Sequence, residues 1–389
     1  MTADFDALDI SALEARRRTV KWRRYGPSTI AAWVADMDLP IAPAVAEALH
    51  AAVAAGDLGY PAPEAAQDLA VAYADWAQRR HGWRPDPANA VAVADVIGGV
   101  ASTLDAVCAP GCGVVTLTPA YPPFFGVVAA TGRKLVSVPL RDEPEGWRVD
   151  VQAVAAAFDA GARVLLLCNP HNPTGRVFTV AELGMLAEVA ARYDVVVLAD
   201  EIHGDLALAG ARHVPFASLG PEVAARTVTF VSASKAFNLA GLHCALVLAG
   251  DPAVAGRIRA IPGHRLGAPS TLGLAAAEAA WTEGDEWLDA VLSHLDRQRQ
   301  RLADILSDLP AVRWHPPEGT YLAWLDFRGL RLPDGSEPAP WFLEHARVAL
   351  YDGRAFGTEG VGWARLNLAT SGLILTETVE RMARALNPA

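Results

Sequence analysis

The 389-residue sequence predicts an α/β protein: a large domain on a mostly parallel seven-stranded sheet sandwiched by helices, plus a smaller α+β domain. Three observations carry this. Short apolar runs recur at Val91–Ile97, Val114–Leu117, Leu135–Leu140, Val164–Cys168, Val195–Ala199, Thr227–Val231 and Cys244–Leu248. They are apolar throughout rather than alternating, which requires a sheet covered on both faces. Helical stretches such as Val180–Arg192 lie between some of them, the order expected of crossover connections. Beyond Pro310 the pattern changes to shorter, mixed pieces.

In chain order, Ile41–Ala55 and Ala65–Arg79 read as helices ahead of the sheet. Glu286–Leu309 is a long amphipathic pattern, suited to bridge two cores. After it, Val312–Trp314, Tyr321–Phe327, Val348–Tyr351 and Trp363–Leu368 read as short strands, and Trp341–Arg347 and Glu377–Leu386 as helices. Gly329–Pro340 reads as a loop. The expected division is an N-terminal segment, 1–45, joining the small domain; a large domain, 46–285; and a small C-terminal domain, 286–389.

Composition narrows the function. Apolar residues make up 52% and charged residues 20%, the balance of a globular chain. A net charge of −11 argues against a nucleic-acid partner, which calls for a basic face. No apolar run reaches the length of a membrane span. The first ten residues, Met1–Ile10, are acidic and lack the pattern of a secretory signal. A cytoplasmic protein is expected. The four cysteines, Cys108, Cys112, Cys168 and Cys244, have no accompanying zinc spacing and read as small buried hydrophobes.

The chemistry-bearing residues fall at strand ends, where such sheets bind ligands. Lys235 follows the run Thr227–Val231, beside Ser232 and Ser234. An amine there is either a surface residue or a nucleophile held over a cofactor. The run ending at Ala199 leads into Asp200 and Glu201, and a carboxylate at a buried strand end needs a cation. Asn172 sits within Asn169-Pro-His-Asn-Pro-Thr-Gly-Arg176, an irregular loop by its prolines and glycine. Gly98-Gly99-Val100 precedes an expected helix at Ala101-Ser102, whose free N–H groups suit an anion. Each feature alone has a plain structural explanation. Their occurrence together and in order does not.

Together these residues resemble the fold-type I pyridoxal-phosphate enzymes of the aspartate aminotransferase superfamily. The resemblance runs the length of the chain. It is closest to the cystathionine β-lyase-like C–S lyases of the MalY/PatB type, through Lys21-Trp22, Trp33-Val-Ala-Asp-Met-Asp38, Gly59-Tyr60, Pro119-Ala-Tyr121, Cys168–Arg176, Asp200-Glu-Ile-His203, Ser234–Gly241, Glu318–Leu322 and Arg365–Ala369.

The resemblance implies pyridoxal 5′-phosphate (PLP) as cofactor. Lys235 would hold its aldehyde and then serve as base at the substrate Cα. Asp200 would face the pyridine nitrogen, Asn172 and His203 the ring oxygen, and Tyr121 the ring face. Gly99, Val100, Ser232, Ser234 and His243 would surround the phosphate. His243 stands where many aminotransferases have an arginine. Tyr60 would reach the phosphate of a neighbouring subunit, which implies a homodimer with shared active sites. Arg365 would grip the substrate carboxylate, and the loop holding Ala35 would border the substrate. His171, His213 and Glu318 match the pattern without an assignable chemistry. The reaction implied is α,β-elimination from L-cystathionine or an L-cysteine S-conjugate, giving a thiol, pyruvate and ammonia. A class I/II aminotransferase is the second reading, and a regulatory PLP-binding protein the third. His203 and His243 favour the lyase.

Overall fold

The computed structural model describes residues 5–330, 332 and 335–386. Positions 331, 333 and 334 of the expected loop, and the tips of the expected terminal segments (1–4 and 387–389), lie outside the described residues.

Seven strands form the large sheet, in the spatial order Ala90–Val93, Ala245–Ala249, Thr227–Val231, Val196–Asp200, Ala162–Cys168, Gly113–Thr118, Lys134–Pro139. Ala245–Ala249 runs antiparallel to both its neighbours, and the remaining pairs are parallel. The mostly parallel expectation therefore holds, with each strand within a few residues of its expected place. Three of the central strands are buried almost end to end. Their register sets Cys168 opposite Asp200, and Asp200 opposite Phe230. Three carboxyl ends thus finish side by side, and the residues just beyond them meet.

One expectation is corrected here. The first strand stops at Val93, and the helix Val96–Val107 begins five residues before Ala101. Asp95 is the cause: its carboxylate accepts the Gly98 N–H at 2.8 Å, so the turn is capped before the glycine pair is reached. Gly99 is then a packing residue. A Cβ there would stand 2.8 Å from a Val247 methyl and 3.3 Å from the Phe230 ring, so its absence lets helix and sheet approach.

The helix Val180–Arg192 lies where expected, started by a capping box between Thr179 and Glu182. It buries Leu183, Leu186 and Ala190 against Val195 and Val197. Each such leucine contributes about 1.5–3 kcal/mol of burial.

A second, four-stranded antiparallel sheet has the order Arg313–Trp314, Leu322–Asp326, Trp363–Asn367, Tyr351–Asp352. Helices Pro338–Ala346 and Gly372–Leu386 cover it through Phe342, Leu375 and Val379. The long helix Asp285–Leu306 serves two cores. Its first half, Leu288 to Leu295, packs with the large sheet's core, and Leu302 and Leu306 pack with the second sheet's.

The N-terminal segment joins the two layers. Ile30–Ala31 pairs in parallel with Val348–Ala349. Residues 33–38 then pass between the sheets. Asn367 Nδ2 donates to the Val34 and Asp36 carbonyls at 2.7 and 2.6 Å on one side. On the other, Asn238 exchanges two hydrogen bonds with the Met37 backbone, at 2.9 and 3.0 Å. Asn238 sits at φ 61°, a left-handed conformation that asparagine tolerates better than most residues. The segment ends at a buried ion pair, Lys21 Nζ to Asp38 Oδ1, 2.9 Å. All four cysteines are free thiols; Cys168 and Cys244 are buried, whereas Cys108 and Cys112 are partly exposed, contrary to the buried expectation.

Candidate active site

The strand ends, the residue 33–38 segment and the start of the helix Val96–Val107 enclose a cavity of about 260 Å³. Lys235, Asp200, Asn172, His203, Tyr121, Ser232, Ser234, His243 and Ala35 all line it. Residues separated by up to 208 positions in sequence are thus brought to one site, mostly by strand register.

Lys235 lies on the short helix Ala233–Ala236 that follows strand Thr227–Val231. Its amine donates to the Ala35 carbonyl at 2.9 Å. Desolvation lowers its pKa first, Arg365 adds to the fall, and Asp36 and Asp200 oppose it. An amine so placed loses its proton more readily than a surface lysine.

Asp200 is 3% exposed. It accepts one hydrogen bond, from the Ile202 N–H at 3.1 Å, and has no ion-pair partner among the described residues. Burial raises its pKa to about 7, with Glu201 reinforcing the rise and Ile202 and Lys235 opposing it. Such a carboxylate is costly unless something cationic meets it.

Arg365 is the converse. It lies on strand Trp363–Asn367 and is 1% exposed, so the sequence alternative of a surface arginine is excluded. Nη1 donates to Asn172 Oδ1 at 2.8 Å and Nη2 to the Trp33 carbonyl at 3.0 Å. Nε has no partner, and no carboxylate is bonded to the guanidinium among the described residues. Its plane packs 4.8 Å from the Tyr351 ring centre and 5.0 Å from that of Phe356. Desolvation lowers its pKa to about 10.

His203 is buried and neutral. Desolvation, with Lys235 and Arg365 nearby, holds its pKa down to about 3, and its Nδ1 has no partner. Tyr121 begins the helix Pro122–Ala130, and burial pushes its phenol up to about 12.

The anion end differs from expectation. Gly99 and Val100 are buried helix positions that do not line the cavity, because the helix starts earlier; Val96 and Ile97 line it instead. Ser232 lines it, but its hydroxyl donates to the Cys244 carbonyl at 2.6 Å and accepts from the Ser234 N–H at 3.1 Å. Its proton is committed to the protein. Ser234 and His243 face the cavity. Tyr60 is fully exposed and does not line its own chain's cavity.

Sequence reading missed Tyr321. Its buried hydroxyl donates to the same Ala35 carbonyl, at 2.8 Å, across 286 residues of sequence. Its presence in the Glu318–Leu322 motif was the available signal. The other unassigned motif residues prove structural. Glu318 and Glu182 pair with Arg176, His171 bonds Thr174 at 2.9 Å, and His213 meets Glu201 at 3.2 Å.

These features fit the implied cofactor. Asp200 lacks a cation that a pyridinium would supply, and His203, Asn172 and an amine of lowered pKa, Lys235, line the same cavity. Arg365 is left for a carboxylate.

The chain matches the family model for aminotransferase class I and II over residues 34–386. It is 35% identical to the cystathionine beta-lyase of Corynebacterium glutamicum, covering 95% of this chain and 97% of that one. It is 33% identical to the cystathionine beta-lyase PatB of Bacillus subtilis, with the same coverage. Among solved structures, cystalysin from Treponema denticola, which contains a pyridoxal 5′-phosphate cofactor, superposes with a TM-score of 0.92 at 29% identity, covering 99% of both chains. This chain belongs to the aminotransferase class I and II family.

Proposed function

We propose that the chain is a PLP-dependent carbon–sulfur β-lyase that cleaves L-cystathionine or L-cysteine S-conjugates to a thiol, pyruvate and ammonia. The observation that carries the cofactor is the buried Asp200, without a cation among the described residues, sharing one cavity with Lys235 and with Asn172, whose side-chain oxygen accepts from the unmatched Arg365. The full-length likeness to cystathionine β-lyases supports the direction of the reaction.

When bound, PLP supplies an aldehyde that condenses with amines and a protonated ring that takes up the electron pair left at the substrate Cα. Asp200 would keep that ring nitrogen protonated. Asn172 and His203 would hold the ring oxygen, His203 as a neutral imidazole, and Tyr121 would pack on the ring. Val96 and Ile97 through their backbone, with Ser234 and His243, would hold the phosphate. Arg365 takes the substrate carboxylate in a bidentate fork, which fixes the Cα proton toward Lys235. Lys235 removes that proton, its amine positioned by the Ala35 carbonyl that Tyr321 also holds.

The reading extends to a cytoplasmic homodimer in which Tyr60 completes the partner's phosphate site, and to the division 1–45, 46–285 and 286–389. Among the described residues no helix is long and apolar enough to cross a membrane. A transaminase is the second reading, favoured by the family's name. Holoenzyme incubated with L-cystathionine should release pyruvate without added keto acid. Product that forms only when a keto acid is supplied would replace the lyase with the transaminase.

A further inference from the structure

One backbone oxygen at the catalytic cavity takes two side-chain hydrogen bonds. Lys235 Nζ donates to the Ala35 carbonyl at 2.9 Å, and Tyr321 Oη donates to the same carbonyl at 2.8 Å. The three residues come from separate parts of the fold. Ala35 belongs to the segment 33–38, Lys235 to the helix Ala233–Ala236, and Tyr321 immediately precedes strand Leu322–Asp326 of the second sheet. Lys235 and Ala35 line the cavity, whereas Tyr321 is fully buried and does not. Its backbone is pinned on both sides: the Thr320 N–H donates to the Leu206 carbonyl at 2.9 Å, and the Leu368 N–H donates to the Tyr321 carbonyl at 2.7 Å. The His203 ring meets the Tyr321 ring edge-on, 6.2 Å between centres. The hydroxyl is thus aimed at Ala35 by the fold.

A carbonyl oxygen has two lone pairs and can accept both donors. The two bonds still compete, because each draws on the electron density of one oxygen. The hydroxyl also brings the positive end of its dipole toward the amine. Both effects weaken the hold of that oxygen on an ammonium and favour the neutral amine. Burial, with Asp36 nearby, pushes the Tyr321 phenol well above its usual range, so it stays a donor. The charges around Lys235 are divided: Asp36 and Asp200 favour its ammonium, and Arg365 opposes it. Tyr121 and the neutral His203 share the cavity. Tyr321 is the neutral group that bonds the amine's own acceptor.

We propose that Tyr321 is a positioning residue that keeps the Lys235 amine neutral by sharing the Ala35 carbonyl. A neutral amine is required both to condense with an aldehyde and to take the Cα proton. The inference rests on the PLP reading of Lys235 and adds to it the residue that prepares the lysine.

The test is Tyr321→Phe in the full-length apoprotein, with two readouts. Acylation of Lys235 by acetic anhydride, followed by mass spectrometry of its peptide, reports the neutral amine without any cofactor. The rise of visible absorbance on adding PLP reports condensation. On the acidic limb of the pH profile both rates should fall about fivefold, the effect of losing one neutral hydrogen bond. On the alkaline plateau, where the amine is neutral in either protein, they should match the wild type. A variant as fast as the wild type on the acidic limb, or one slowed equally at every pH, overturns the proposal. So does the same pH-dependent slowing in Tyr73→Phe, which removes another buried hydroxyl outside the catalytic cavity. If Tyr321→Phe does not fold, Tyr321→3-fluorotyrosine keeps the ring and makes the hydroxyl a stronger donor. Acylation on the acidic limb should then quicken, and no change or a slowing overturns the proposal. If acylation responds as stated but PLP gives no visible absorbance with either protein, Tyr321 keeps its role and the cofactor reading fails alone.

Discussion

Two sets of buried charge stand close together in this molecule and are treated oppositely. In the loops that frame the site, three groups of buried charge have protein partners. Lys21 meets Asp38, both side chains 2% exposed; Arg176 is held between Glu182 and Glu318; Glu201 meets His213 and accepts the Phe216 N–H at 2.7 Å. At the site, among the described residues, Asp200 in the cavity has no cation, and Arg365, bonded to Asn172 on the cavity wall, has no anion, although both are buried. Charges matched by protein hold the fold, whereas charges left unmatched await a ligand. Adjacent residues show the contrast most sharply: Glu201 anchors a turn, and Asp200 faces the cavity.

Removing groups from each set should therefore produce opposite signatures. The largest effect is expected for Lys235→Ala, which should lower turnover by at least about 10³-fold, as when a base and nucleophile are lost together. Its thermal melt should not fall below that of the wild type, since a desolvated amine is removed. On the structural side, Asp38→Asn leaves Lys21 buried without its counter-charge and should cost about 3–5 kcal/mol of stability in a denaturant titration. Arg365→Lys should lower kcat/KM about 10²-fold, because an ammonium does not reproduce the fork, with little change in denaturation midpoint. Equal stability losses in both sets would erase the distinction.

A smaller effect is set by pH. The Asp200 carboxyl is raised from 3.8 to about 7 in the folded, cofactor-free protein. Between these values the native state keeps a proton that the unfolded chain has released. Its contribution to stability is thus fully present below pH 3.8 and is lost as pH rises through about 7. Wild-type apoprotein should lose stability relative to Asp200→Asn across that window. A flat difference would mean that Asp200 is not desolvated as described.

The sheet was legible because buried strands carry continuous apolar runs, and the sheet then brought Asn172, Asp200 and Lys235 together without further information. Arg365 required the second sheet, and its burial was not visible in a sequence that also permits a surface arginine. The glycine pair misled because Asp95 starts the helix early, so Gly99 serves packing against Val247 and Phe230. Tyr321 was hidden for another reason. Its role depends on a segment, residues 33–38, placed by long-range side-chain bonds from Asn238 and Asn367, which no local pattern encodes.

The central claim is that PLP supplies the charge that Asp200 lacks. The direct measurement is thermal unfolding of wild type and Asp200→Asn, each with and without saturating PLP. Without cofactor at pH 8, the variant should melt at or above the wild-type temperature, because a buried unpaired carboxylate has been removed. With PLP the wild type should gain more than the variant, in proportion to its tighter binding. An apo variant that melts below the wild type, combined with equal gains from PLP, would show that Asp200 is matched within the protein and would contradict the account.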